Sequence, residues 1–250
     1  MLNRQSTTFI RGCYLIKNEL EINLNLEGAW RKRGLLNRLY YWSIFSFARC
    51  KSGFPNNNSE ARILDLGCGD GFISNRLYQT GIRNIVAFDY NPLAGRINYP
   101  FKCITGRIPD DINLIPEHEL FDYVLILGVL HHLDFDKVGE VFLRIGRLLK
   151  PGGCVILWEP CDTLTLKLMY FLVKFELLRS FGWFKRTYDC LNSESEIIRG
   201  FIDFFYEIKN GAYMVRSDRI MPFKVKAIAT CWHGKIMLLE SPTISGRRQS

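Results

Sequence analysis

The chain has 250 residues and a mass of 29.1 kDa, with 48% hydrophobic and 23% charged residues. This composition is typical of a globular protein with a substantial core, and it excludes an intrinsically disordered chain. No stretch reaches the ~18 consecutive apolar residues that a transmembrane helix needs, and the first residues lack the apolar run of a secretory signal. We therefore expect a cytoplasmic protein.

The net charge of +8 is distributed unevenly along the chain. Residues 1–59 carry nine Lys/Arg and three acids, and residues 161–250 carry fourteen Lys/Arg and nine acids. Residues 60–160 are slightly acidic, with ten Lys/Arg and thirteen acids. The basic flanks are therefore the parts expected to meet an anionic partner such as nucleic acid or lipid headgroups. The alternative is that the excess charge serves solubility alone.

Eight cysteines are scattered over the chain without a Cys-x-x-Cys pair. A chain of this length forms its core without disulfides, and the paired spacing of zinc ligands is missing. The pattern predicts reduced thiols and no metal site.

In chain order, residues 1–59 are predicted to form an N-terminal helical segment that ends in a loop rich in Gly, Pro and Asn. Between residues 60 and 160, short apolar strands alternate with helices. The predicted strands are Ala61–Leu66, Asn84–Phe88, Lys102–Thr105, Phe121–Leu127 and Cys154–Trp158, and the predicted helices are Phe72–Gln79 and Asp136–Leu149. Near-continuous apolar strands separated by helices indicate a doubly wound α/β fold with a mostly parallel sheet.

The last third of the chain has a less regular pattern. Residues 161–193 are apolar with scattered basic residues, and they are predicted to form a helical cap or lid. Residues 194–244, with strands expected near Phe205–Lys209 and Lys235–Leu239, are predicted to complete the α/β core. Residues 245–250 are predicted to be a disordered tail.

The sequence ILDLGCGDG at 63–71 joins the first predicted strand to the first predicted helix. Its three glycines allow a tight turn and a close approach of a ligand to the backbone. A dinucleotide-binding motif would place its third glycine at position 72, which is Phe72. Asp65 and Asp70 flank the loop, so a positively charged ligand fits it better than a diphosphate does.

A further carboxylate, Asp89, lies at the end of the next predicted strand. A carboxylate at that position accepts hydrogen bonds from both hydroxyls of a ribose. Because ligands of doubly wound sheets bind at the carboxyl ends of the strands, the glycine loop and Asp89 together predict a nucleoside ligand there.

Four segments in this order resemble class I S-adenosylmethionine-dependent methyltransferases of the small-molecule type: ILDLGCGDG (63–71), VAFDYNP (86–92), FDYVLILGVLHHL (121–133) and LLKPGGCVILWEP (148–160). The resemblance implies that residues 60–160 form an S-adenosylmethionine-binding core. It also implies a Rossmann-like fold with a seven-stranded sheet, N-terminal helices and a helical cap insertion. The residues that it places around the cofactor are Asp65, Gly67, Cys68, Gly69, Gly71, Asp89, Tyr90, Asn91, Leu127, Gly128 and Val129.

One position departs from the family pattern. After the third strand the family usually has Gly-Asp, whose carboxylate meets the adenine amino group, whereas this chain has Gly106 followed by Arg107. Asp110 or Asp111 would have to substitute for that carboxylate.

The candidate catalytic residues are His131 and His132, after the fourth predicted strand, and Glu159, at the end of the fifth. Methyl transfer from a sulfonium mainly requires alignment of the acceptor in a dry pocket, and a base assists when the acceptor is a hydroxyl. One of the histidines is the candidate base, and Glu159 is the candidate for orienting the substrate. The alternative is that these side chains only pack, line the pocket or cap a helix.

The predicted function is therefore a methyltransferase that methylates an oxygen of a small, lipid-linked or glycan-type metabolite by in-line SN2 transfer. The apolar, basic segment 161–186 is a candidate lid and a candidate peripheral contact with anionic membrane. The first alternative is a tRNA or rRNA methyltransferase that uses the basic flanks. The second alternative is a catalytically silent binding module with the same fold.

Overall fold

The computed structural model describes residues 42–46, 50, 60–90, 99–116, 118–164, 167–168, 171, 195–209, 212–231 and 234–241. The chain forms two compact units, Met1–Trp42 and Ser43–Ser250, and the elements given below belong to the second. Asn91, the predicted tail, and most of the predicted N-terminal segment and cap lie outside the described residues. No helix among the described residues is long and apolar enough to span a membrane.

The central element of the second unit is a seven-stranded sheet. The strands in chain order are β1 (Arg62–Leu66), β2 (Asn84–Asp89), β3 (Lys102–Thr105), β4 (Phe121–Leu127), β5 (Leu149–Pro160), β6 (Tyr206–Lys209), β7 (Ala212–Val215), β8 (Lys224–Cys231) and β9 (Gly234–Glu240). The sheet has the order β3-β2-β1-β4-β5-β9-β8, while β6 and β7 form a separate hairpin. Strands β1 to β5 are parallel, and β9 is antiparallel to both of its neighbours. The predicted mostly parallel, seven-stranded α/β sheet is confirmed.

Three helices with at least eight described residues belong to this unit: α1 (Phe72–Gln79), α2 (Val138–Leu148) and α3, which covers 195–205. Helix α2 buries its apolar residues at a period close to 3.6: Val138, Val141, Phe142, Ile145 and Leu148. The central strands are buried almost completely, as Leu64 of β1 and Val124 of β4 illustrate. The continuous apolar strands of the sequence are therefore explained by a sheet that is covered on both faces.

The order of the strands positions a crevice at one edge of the sheet. From β1 the chain moves outward through β2 to β3, and it then returns to add β4 on the other side of β1. The connections after β1 and β4 therefore leave in opposite directions, and a crevice opens between their carboxyl ends. The candidate site residues follow the strands on both sides of this point.

Two features of the C-terminal half differ from the sequence-based prediction. Strand β5 begins at Leu149, five residues before the predicted Cys154, and its pairing with β4 shifts between Phe121, opposite Leu149, and Tyr123, opposite Cys154. Extra residues are accommodated at this irregularity, so the Pro-Gly-Gly sequence lies within a strand. Strands β7 and β8 were not predicted. Strand β8 begins with exposed lysines that alternate with half-buried residues, whereas β7 is a short apolar strand that the prediction missed.

Candidate active site

The glycine loop after β1 makes a tight turn against the next strand. Gly67, Gly69 and Gly71 all have positive φ, at 81°, 59° and 73°. The amides of Gly67 and Cys68 both donate to the carbonyl oxygen of Phe88, at 2.7 and 3.1 Å. This pairing holds the loop over the end of β2, and the left-handed backbone explains why glycine occupies these positions.

Asp89 connects the glycine loop to the carboxyl end of β2. Its Oδ2 accepts a hydrogen bond from the amide of Gly69 at 2.7 Å, and the residue is 7% exposed. The sequence predicted that the loop and this carboxylate lie side by side, and the structure brings them together. The next residue, Tyr90, is 53% exposed.

Asp65 lies deeper, at the base of the loop. It is buried, and its Oδ2 accepts a 2.6 Å hydrogen bond from the hydroxyl of Ser74 on α1. Burial raises the pKa of the Asp65 carboxyl to about 6, and the negative charges of Asp89 and Asp70 add to this increase. These three carboxylates therefore form an acidic centre around the loop. Burial raises the pKa of the neighbouring Cys68 thiol well above its usual value, so this thiol is neutral.

The residues after β4 pack directly against the glycine loop. A Cβ on Gly67 would lie 2.3 Å from Cγ2 of Val129, so the two loops are in close contact only because position 67 is glycine. Gly128 has a φ of 74°, and its amide donates to the carbonyl oxygen of Trp158 at 2.8 Å. Leu127, at the end of β4, is half-buried. The structure therefore places the end of β4 and the residues that follow it beside the glycine loop.

Glu159, near the end of β5, binds the segment that follows β4. It is fully buried, and its Oε1 accepts hydrogen bonds from the amides of Val129 and Leu130 at 2.9 and 2.7 Å. Its Oε2 lies 2.7 Å from Nδ1 of His131. Burial raises the pKa of Glu159 to about 7, an increase that the two amide hydrogen bonds oppose. Both carboxylate oxygens of Glu159 therefore bond to the segment that follows β4.

The two adjacent histidines have different surroundings. His131 is 6% exposed, and burial lowers its pKa to about 4, so its imidazole is neutral. Because Oε2 of Glu159 faces Nδ1, the carboxylate form of Glu159 favours the tautomer with its proton on Nδ1. The Cε1 edge of the ring borders Gly128, 3.8 Å from the position of a Cβ there. His132 is exposed, and its ring centroid lies 4.0 Å from that of His131.

Several residues beside the site were not predicted from the sequence. Tyr99 covers Gly71, since a Cβ on that glycine would lie 2.7 Å from the Tyr99 ring. The ring of Phe201, on α3, meets that of His131 edge-on at 6.1 Å. Ser74 could have been found as the polar residue on the buried face of α1. Tyr99 and Phe201 are distant in sequence from the residues that they contact, and nothing local marks them.

The donor set can be tested against S-adenosylmethionine, which carries a positively charged sulfonium and an amino acid group on an adenosine. The acidic centre of Asp65, Asp70 and Asp89 suits a cationic ligand, and Asp89 ends a strand where a ribose is commonly held. The residues present therefore fit this group. The sheet order and this site define a class I S-adenosylmethionine-dependent methyltransferase domain.

Comparison with known proteins leads to the same class. Residues 45–195 match the family model described as "Methyltransferase domain", and the chain belongs to that family. The crystal structure of the PH0226 protein from Pyrococcus horikoshii OT3 is similar, with a TM-score of 0.51 and 16% identity over 84% of this chain and 92% of that chain. This likeness supports the fold alone.

Two curated relatives have different activities. The chain is 28% identical over 152 residues to a ubiquinone biosynthesis O-methyltransferase of Rickettsia bellii (strain OSU 85-389), covering 56% of this chain and 61% of the relative. It is 32% identical over 160 residues to a tRNA U34 carboxymethyltransferase of Nautilia profundicola, covering 60% of this chain and 50% of the relative. The chain thus spans about half to three-fifths of the length of these relatives.

Proposed function

We propose that this protein methylates an oxygen atom of a small or lipid-linked metabolite, with His131 as the general base. The observation that carries this proposal is the buried pair of His131 and Glu159 beside Gly128, next to the glycine loop. A neutral imidazole with its proton on Nδ1 has a free lone pair on Nε2, which can accept the proton of a hydroxyl. Among the described residues, no hydrogen bond occupies that nitrogen.

In this proposal, one set of residues binds the cofactor and another transfers the proton of the acceptor. When bound, S-adenosylmethionine supplies a methyl group on a sulfonium, which is an excellent leaving group. The loop at 67–71, Asp65 and Cys68 are proposed to surround its methionine part, Asp89 its ribose, and Leu127 to Val129 the region of its methyl group. His131 takes the proton that the acceptor hydroxyl loses, and Glu159 orients and stabilises the imidazole. The proton then passes to water after the methylated product leaves.

Replacing Asp89 with alanine is expected to weaken S-adenosylmethionine binding by on the order of 10²- to 10⁴-fold, because two charge-assisted hydrogen bonds to the ribose are lost. The loop also loses the hydrogen bond from the Gly69 amide. Isothermal titration calorimetry measures the change. Glu140→Ala is the control, since Glu140 lies on the exposed side of α2 and pairs with Arg144. Equal affinities of Asp89→Ala and wild type for S-adenosylmethionine would show that Asp89 does not bind the ribose.

The apolar side of the segment after β5 supports a lipid-linked acceptor. Residues 164, 167–168 and 171 are helical, and Leu164, Leu168 and Phe171 are 83%, 51% and 57% exposed. Their spacing of four and three residues places them on one side of a helix. Asp162 connects this segment to the β6–β7 hairpin, because its Oδ2 meets both Lys167 and Tyr213 at 3.1 Å. An apolar face beside a lysine also suits a peripheral contact with anionic membrane.

The names of the relatives support two acceptor classes. The Rickettsia relative is a ubiquinone biosynthesis O-methyltransferase, and that activity agrees with an oxygen acceptor on a small molecule. The Nautilia relative is a tRNA U34 carboxymethyltransferase, and together with the basic flanks of this chain it supports RNA as the second candidate. Among the described residues, no feature favours a glycan-type acceptor.

The proposal is tested by transfer of radiolabelled methyl groups to a polyprenylated phenol, to the same phenol without its tail, and to unmodified tRNA. We expect His131→Ala to lower turnover of the phenols about 10²- to 10⁴-fold, as expected for the loss of a general base. His132→Ala is the comparison variant, because His132 is exposed whereas His131 is buried against Glu159, and it should retain nearly full turnover. Both variants should bind S-adenosylmethionine as wild type does.

Each class of acceptor gives a different result in this assay. A lower KM for the prenylated phenol than for the phenol without its tail would support a lipid-linked acceptor. Methylation of tRNA, with a steep loss of activity on addition of salt, would instead support an RNA methyltransferase. Cofactor binding without any methyl transfer would support a catalytically silent binding module. Full activity of His131→Ala would show that His131 is not the general base.

A further inference from the structure

We propose that Tyr99 is a positioning residue that makes the site selective for ligands carrying the amino acid part of the cofactor. This inference rests on the proposed cofactor site, and it concerns the residues just before β3 and the outer half of the glycine loop. Tyr99 acts through the backbone of Asp70 and Gly71, so its role does not require contact with the cofactor.

The inner half of the glycine loop is held by β2. The amides of residues 67–69 all donate to the end of that strand, two of them to the carbonyl oxygen of Phe88 and one to Oδ2 of Asp89. These hydrogen bonds fix the part of the loop that lies beside the proposed ribose site. They do not reach residues 70–71, which carry the chain into α1.

Tyr99 contacts this outer half of the loop in two ways. Its hydroxyl donates a hydrogen bond to the carbonyl oxygen of Asp70. Its ring covers Gly71, because a Cβ built on that glycine would lie 2.7 Å from Cε2 of the ring and 3.2 Å from Cζ. Gly71 has a φ of 73°, and α1 begins at the next residue. Tyr99 therefore fixes the left-handed turn that joins the loop to the helix.

The ring of Tyr99 is held in place by other aromatic rings. It stacks on the ring of Phe101, with the centroids 4.8 Å apart and the planes 12° apart. Phe101 is buried, and its ring centroid lies 6.2 Å from that of Tyr78 on α1. This aromatic cluster connects the residues before β3 to α1, and it directs the Tyr99 hydroxyl toward the loop.

A loop with three glycines benefits strongly from such a contact. Glycine loses more conformational freedom on ordering than other residues do, so the loop at 67–71 is costly to hold in one conformation. A contact that orders the loop before the ligand binds raises the fraction of molecules that are ready to bind. Because this loop is proposed to surround the methionine part of the cofactor, the benefit is restricted to ligands that carry that part.

The test compares two ligands by calorimetry: S-adenosylhomocysteine and 5′-methylthioadenosine, a thioether nucleoside that lacks the amino acid group. Wild type should bind the first about 10- to 100-fold more tightly, the range expected for hydrogen bonds to charged groups. Tyr99→Phe keeps the stacked ring and removes the hydroxyl. It should weaken binding of S-adenosylhomocysteine about 2- to 10-fold, as expected for one lost hydrogen bond, and leave binding of 5′-methylthioadenosine unchanged.

Tyr78→Phe is the matched control for this variant. Its ring belongs to the same aromatic cluster, and its hydroxyl has no hydrogen-bond partner among the described residues. It should bind both ligands as wild type does. In turnover measurements, Tyr99→Phe should raise the KM for S-adenosylmethionine by the same factor as the calorimetric loss and leave kcat unchanged, because the acceptor side of the site is not altered.

The pair of ligands also shows how the inference could fail. If Tyr99→Phe weakens the binding of both ligands by the same factor, or of neither, Tyr99 has only a structural role and the inference is wrong. Equal binding of the two ligands by wild type would also overturn it, although the nucleoside site would stand. Binding of neither ligand by wild type would reject the proposed cofactor, and this inference with it.

Discussion

Replacing Gly67 with alanine is expected to lower the free energy of unfolding by about 2–5 kcal/mol and to abolish measurable binding of S-adenosylmethionine. Gly67 has a φ of 81°, which costs a residue with a Cβ about 1–2 kcal/mol. The added Cβ would also lie 2.3 Å from Cγ2 of Val129. Either the loop or Val129 must move, and both line the proposed cofactor site. Urea unfolding and calorimetry measure the two effects.

Gly152→Ala separates backbone strain from this steric overlap. Gly152 has a similar φ of 77°, but no heavy atom lies within 4 Å of a Cβ built on it. This variant should lose only the ~1–2 kcal/mol of backbone strain and should bind the cofactor normally. In the double variant Gly67→Ala/Val129→Ala the overlapping methyl groups are gone, so much of the additional loss should be recovered. Equal losses in the two single glycine variants would show that the loops after β1 and β4 do not meet closely.

The fold could be predicted from the sequence because its signals are local. Most of the parallel strands contain a short apolar run, as β4 does at residues 124–127, and the glycine loop joins a strand to a helix within a few positions. Strand β8 could not be predicted from such a signal. It is an edge strand, and it alternates between exposed residues such as Lys224 and Lys226 and half-buried ones. An edge strand of this kind has no apolar run to mark it.

The chemistry of the site depends on contacts that the sequence does not record. Asp89 could be predicted, since strand order brings the ends of neighbouring parallel strands together. The partners of Glu159 could not, because Val129 and Leu130 are 30 and 29 residues away from it. The sequence-based expectation gave Glu159 the task of orienting a substrate. In the structure its carboxylate is fully buried and bonded to the β4 loop, so the proposed role becomes that of a positioning residue for His131.

Replacing Glu159 with glutamine is expected to lower turnover by on the order of 10²- to 10⁴-fold while leaving cofactor binding intact. The glutamine oxygen can still accept from the amides of Val129 and Leu130, as Oε1 of Glu159 does. Its amino group then faces Nδ1 of His131 and donates to it. The imidazole proton is forced onto Nε2, the nitrogen that must accept a proton from the acceptor. Turnover of the phenol substrate and calorimetry of the cofactor measure the two properties.

The stability of this variant should change in the opposite direction from its activity. Burial raises the pKa of Glu159 from 4.5 to about 7, so the folded protein holds this proton more tightly than the unfolded chain does. The contribution of a neutral Glu159 to wild-type stability is therefore complete below pH 4.5 and is lost as the pH rises through 7. Glutamine cannot ionise, so Glu159→Gln should gain up to about 3 kcal/mol relative to wild type over that range.

Glu159→Ala removes both functions of the carboxylate, the support of the loop after β4 and the orientation of His131. The amides of Val129 and Leu130 lose their buried acceptor, at a cost of about 1–3 kcal/mol for each unsatisfied group. A residue that only supports the loop would leave Glu159→Gln active and make Glu159→Ala both unstable and inactive. A residue that also sets the tautomer of His131 makes Glu159→Gln stable and inactive. Full turnover in the glutamine variant would therefore reduce Glu159 to a structural residue and leave His131 without its orienting partner.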